Sequence, residues 1–167
     1  MVLRRIRHFQ SKRRMEYTAR KIYGIIITLA LIISLEGHVT DSFFVIFSIF
    51  GSLFVIALAE IYVHLLTVPV KKEKHLTWEE RFAVVKEEFS IMLASDIPIF
   101  LFLLSHFGFL SLEEAFFFSK SLALLTLFFF GCYLGYVLNK KMYQRFFMGV
   151  LSAGFGFLIV LLKLLFK

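Results

Sequence analysis

The chain has 167 residues, 59% of them hydrophobic, with a mean hydropathy of +0.82 and a formal net charge of +7. Soluble domains carry roughly 45–50% apolar residues, so this composition excludes a water-soluble globule and implies a one-domain integral membrane protein. Nucleic acid is excluded as the partner of the positive charge, because eight of the 19 Lys and Arg residues precede Gly24, a placement that suits anionic lipid head groups.

Residues 1–21 are a basic arm containing Arg4, Arg5, Arg7, Lys12, Arg13, Arg14, Arg20 and Lys21. Val2, Leu3, Ile6 and Phe9 recur at helical spacing among them, which fits a short amphipathic helix on the inner leaflet; a disordered basic tail fits equally. A membrane helix needs about 20 mainly apolar residues, and the stretches 22–39, 43–66, 89–109, 115–138 and 146–166 qualify. The first is the weakest. Its clean apolar run stops at Leu35, so the span has to include Glu36–Val39, tilt little or thin the bilayer. No A-x-A-like cleavage site follows it, so it reads as a retained span.

In the linker 67–88, Pro69 is expected to stop span two, and Thr77-Trp78-Glu79-Glu80 predicts a capping box. The helix that starts there is expected to run unbroken into span three and to bend near Pro98, which has no amide hydrogen to donate. The connecting segments alternate in Lys and Arg content: eight in the arm, none in 36–42, five in 67–88, none in 110–114 and three in 139–145. By the positive-inside rule the N-terminus is cytoplasmic and the C-terminus external. Lys163 and Lys167 depart from the pattern and are read as snorkelling; Lys120 is read as snorkelling or pairing with Glu113 or Glu114. The expected fold is therefore an all-α, five-helix transmembrane bundle over 22–167 with a short cytoplasmic helical linker. Small size and the absence of targeting text point to a bacterial plasma membrane.

Ionisable groups in hydrocarbon cost about 2.5–3.5 kcal/mol even on the lenient insertion scale, so each needs a reason. Glu60 and Asp96 lie about 10 Å in from the cytoplasmic ends of spans two and three by helical rise. The same slice holds Thr28, Cys132, Tyr133 and Ser152, with Met92 and Met148 about one turn nearer the cytoplasm. Carboxylates with a thiol and thioethers make a mixed hard and soft donor set of the kind that suits ferrous iron or manganese. Separate residues bonded to their own neighbours, and core packing for Cys132 and the methionines, are the alternative. His64 is one turn from Glu60 on the same helix face and is a second ligand, a proton relay or a solvated boundary histidine. Glu36, His38 and Asp41 gather on the outer side as an exit vestibule or a plain acidic loop. Glu79, Glu80, Glu87 and Glu88 read as a solvated mixed-charge surface or as metal-collecting groups. The pairs Gly131/Gly135, Gly149/Ala153, Ser152/Gly156 and Ser48/Ser52 predict close helix contacts, within one chain or across a dimer. No GxGxxG, Walker, HExxH or CxxC spacing appears, so neither an enzyme nor a permanently bound cofactor is expected; a divalent metal is the candidate substrate.

The layout resembles the vacuolar iron transporter family. Gly51-Ser52 through Ala57-Leu58-Ala59-Glu60-Ile61-Tyr62-Val63 is similar to its second span, Asp96-Ile97-Pro98-Ile99-Phe100-Leu101 to its third, and Gly131 to Gly135 with Met148-Gly149-Val150-Leu151-Ser152-Ala153-Gly154 to its fourth and fifth. The first-span aspartate of that family is replaced here by Ile25-Ile26-Ile27-Thr28, and its cytoplasmic metal-binding module is reduced to about twenty residues. The resemblance implies a homodimer that moves iron or manganese out of the cytoplasm by proton exchange, with Glu60 in the transport path. The missing aspartate leaves a second reading, a non-transporting scaffold that binds a partner.

Overall fold

The computed structural model describes the backbone of residues 2–72 and 77–165 and, within these, the side chains from Thr18 onward except at 68–72, 87, 90, 163 and 164. All the described elements are helical: α1 (Val2–Leu35), α2 (Ser42–Lys72), α3 (Trp78–Glu88), a 3-10 segment (Phe89–Ser95), α4 (Asp96–His106), α5 (Leu112–Val137) and α6 (Met142–Leu165). Five stretches are long and apolar enough to cross a membrane: Thr18–Leu35, Ser42–Thr67, Trp78–His106, Leu112–Val137 and Met142–Leu162. The chain is thus an all-α, multi-pass membrane protein. The side chains of Val2, Leu3, Ile6, Phe9, Lys163 and Lys167, on which the amphipathic arm and the snorkelling lysines rest, lie outside the described residues.

The helix of span one does not extend over Glu36–Val39. Glu36 and His38 donate their amides to Ile32 and Leu35 (3.1 Å each), and Gly37 turns the chain out of the helix at φ +79°, a backbone state that glycine adopts without strain. The apolar stretch therefore stops at Leu35. The arm and the span form one continuous helix.

α1 is the centre of the bundle and packs against α5, α6, α2 and the 3-10 segment. Ile25, Leu29 and Ile33 bury themselves against Ala123 and Leu127 of α5, whereas Ile32 joins Val45, Ile49 and Leu53 of α2, Phe102 of α4 and Phe116 of α5. Phe102 and Phe116 meet edge to face with centroids 4.9 Å apart, a favoured aromatic geometry. A Cβ on Gly24 would sit 2.8 Å from Ala94 Cβ and 3.0 Å from the Ile91 carbonyl, so the backbones of α1 and the 3-10 segment touch there.

Span three is helical without a gap from Trp78 to His106, as expected, but its winding changes on the way. Pro98 cannot donate to the Ala94 carbonyl and its ring crowds it, and the seven residues Phe89–Ser95 just before α4 tighten to 3-10, a conformation that often marks strain or a hinge inside a helix. The buried Ser95 hydroxyl donates to the Met92 carbonyl at 2.7 Å, three residues back. Pro69 likewise does not stop span two, since α2 continues through it to Lys72. The Thr77–Glu80 box forms, with Thr77 N to Glu80 Oε2 at 3.1 Å and Glu80 N to Thr77 Oγ1 at 3.3 Å. A second box, Ser111 with Glu114, starts α5 at Leu112, earlier than the apolar run suggested.

At the end of the bundle that holds 36–41 and 107–111, Ser42 and Ser105 hydroxyls bond at 2.8 Å, and Asp41 Oδ1 caps α2 by accepting from Phe43 N at 2.9 Å. Lys120 pairs neither with Glu113 nor with Glu114 but with Glu36 at 2.5 Å, since it lies about two turns into α5, beside the end of α1. All three vestibule residues are thereby engaged in structure, since His38 Nδ1 also lies 3.3 Å from the Glu36 carbonyl oxygen.

The small-residue stripes of α5 and α6 are used within the chain. A Cβ on Gly131 would lie 2.6 Å from the Met148 carbonyl and 2.8 Å from Gly149 Cα, and one on Gly135 would lie 2.8 Å from Arg145 Cα. Gly51 and Gly154 face open space. Gly131→Ala should therefore force α5 and α6 apart and cost about 1–3 kcal/mol, whereas Gly51→Ala should be neutral or slightly stabilising; thermal melts of the detergent-solubilised variants measure the contrast.

Candidate functional site

Two cavities among the described residues hold several of the polar side chains of the spans. The smaller, about 120 Å³, is lined by Arg20 and Tyr23 of α1, Glu60 and His64 of α2, Glu88 at the end of α3, and Ile91. Helical spacing of four brings Glu60 and His64 to one face of α2. Glu88 arrives because α3 tightens into the 3-10 segment directly after it, turning its carboxylate inward until only 4% of the residue is exposed. Arg20 Nη1 forms an ion pair with Glu88 Oε1. His64 Nδ1 lies 2.7 Å from the same oxygen, though the contact lacks hydrogen-bond alignment.

Glu60, His64 and Glu88 each place one ligand atom so that all three lie within 4.8 Å of one another. Ligands at about 2.1 Å from an ion are about 4.2 Å apart when opposed, so the set is slightly wider than a closed metal site. Two carboxylates and an imidazole form the donor set common at iron, manganese and zinc centres.

The larger cavity, about 270 Å³, lies between α1, the 3-10 segment with α4, and α5; its polar lining is Lys21, Thr28, Asp96 and Thr126. The layer expected at the depth of Glu60 and Asp96 is therefore divided. Glu60 and His64 share the small cavity, and Asp96 shares the large one with Thr28. Cys132 Sγ and Ser152 Oγ lie against Gly149 and Gly131 in the α5–α6 contact, beside Met148, whose carbonyl touches the same glycine. Met92 packs on the apolar cluster around Phe102. Tyr133 is exposed on α5.

Arg20 was not among the candidates read from the sequence, and Glu88, read there as part of a solvated surface with metal collection as the alternative, is buried. The available signal was position. Glu88 is the last charged residue before the apolar run from Phe89, and Arg20 the penultimate one before that from Ile22; charges at these boundaries are the ones that spans can draw together.

If the Arg20–Glu88 pair holds α1 to α3, Glu88→Leu alone should lower stability by about 2–3 kcal/mol, somewhat under the cost for a fully buried pair because Arg20 is partly exposed. The double variant Arg20→Met/Glu88→Leu should recover most of that loss, read as the melting temperature in detergent. Comparison with protein-family models, with curated proteins and with solved structures finds no match for this chain.

Proposed function

We propose that the protein is a membrane carrier for a divalent transition metal, iron or manganese, with Glu60, His64 and Glu88 as ligands. The observation that carries this reading is the convergence of three ligand-type side chains from two helices at the edge of the spans. Such an ion is held by deprotonated carboxylates and a neutral imidazole, so loading expels protons, and protons returning from the other side would discharge it. The lysine and arginine content of the connecting segments supports a cytoplasmic N-terminus and external C-terminus, and the resemblance to vacuolar iron transporters supports movement out of the cytoplasm. Asp96, in the other cavity, stands outside this ligand set. The homodimer that the resemblance implies needs a surface other than the Gly131/Gly135 stripe, which α6 already occupies.

One observation favours the second reading, a non-transporting scaffold: Arg20 already gives Glu88 a counter-charge. Reconstituted vesicles separate the two. With an internal metal-sensitive dye and a pH gradient, the carrier is expected to move ferrous iron or manganese well above empty vesicles, and Glu60→Gln or His64→Ala to reduce the flux by about tenfold or more. Flux equal to that of empty vesicles, or unchanged in both variants, sinks the carrier.

A further inference from the structure

We propose that the 270 Å³ cavity between α1, α4 and α5 binds a small amphipathic organic ammonium ion, with Asp96 as its counter-ion. The site is distinct from the metal ligands and does not depend on them.

Its polar oxygens can only accept. Thr28 donates its hydroxyl hydrogen to the Gly24 carbonyl at 2.8 Å, and Thr126 donates to the Leu122 carbonyl at 2.6 Å. A hydroxyl has one hydrogen, so both oxygens turn only lone pairs toward the cavity. Asp96 is exposed, and no ion pair or hydrogen bond joins it to a described residue. Lys21, which also lines the cavity, holds its ammonium 5.9 Å from the centre of the Phe130 ring, within cation–π range.

A carboxylate inside a span ordinarily pairs with a cation or faces water. Here it shares its space with two acceptor oxygens, with Lys21, whose ammonium is drawn toward the Phe130 ring, and with apolar walls, among them Ile25, Leu93, Ile97, Pro98 and Ala123. A bare hard cation wants about six or more oxygen ligands and would leave those walls unused. An ammonium group brings three donors and a hydrocarbon body, which matches both halves of the lining. The volume exceeds the roughly 150 Å³ of a cavity that admits benzene and falls just under the usual range for larger ligands, so a single-ring or short branched amine fits.

The test uses the full chain in phosphatidylcholine nanodiscs with radiolabelled 2-phenylethylammonium. Saturable binding is expected, displaced by the unlabelled amine but not by phenylacetate or 2-phenylethanol. Asp96→Asn should weaken it by about tenfold or more and Thr126→Val by about fivefold, with Asp96→Glu retaining binding and circular dichroism unchanged in all three. Glu60→Gln should leave the affinity as it is, which keeps this outcome separate from that of the metal assay. Replacing part of the lipid with phosphatidylethanolamine identifies the natural source: competition assigns a lipid head-group amine, and no competition assigns a free amine. Non-saturable binding, equal displacement by the anion or alcohol, or full affinity in a folded Asp96→Asn variant overturns the proposal.

Discussion

The burial of the Glu88 carboxylate is the constraint around which one end of the bundle is organised. A carboxylate out of water is expensive unless paired, and the pairing partners come from α1 and α2: Arg20 and His64 both reach the same oxygen. Three helices are thereby fixed in mutual register at a single point. Below that point the backbones of α1 and the 3-10 segment meet at Gly24, which a slip of either helix would prevent.

The opposite end is tied by different means. Lys120 and Glu36 join α5 to α1, and paired serine hydroxyls join α2 to α4. Between the two ends the packing is apolar and close, and α6 is held chiefly by glycines facing α5. Its outer surface exposes Phe147, Leu151, Phe155 and Leu158, as suits a helix with lipid on its far side. The 3-10 segment sits between these arrangements, and both cavities border it, Ile91 on the small one and Leu93 and Ala94 on the large one. A shift in its helical winding would therefore alter the proposed metal site and the proposed amine site together.

The existence, number and approximate position of the spans were legible in the sequence, because hydrocarbon demands long apolar runs whatever the neighbours are. The Thr77–Glu80 cap was legible too, since capping is a local reaction of a side chain with its own backbone. Helix rotation was not. It decides whether Glu60 meets Asp96 or Glu88, and it follows from how all the helices pack at once. Nor did apolar pattern rank the helices: α1, with the shortest apolar run, is the central one, because its Gly24, Thr28 and Leu29 accept neighbours on several sides. The role of Arg20 was likewise hidden, since it reads as an arm residue until Glu88 is brought beside it. The sequence by itself thus determined a multi-pass helical protein and its local caps, through backbone satisfaction and solvent preference. The pairing of buried charges, the partition of the polar residues between two cavities and the intrachain use of the glycines were decided only by tertiary packing, which sets what each side of a helix faces.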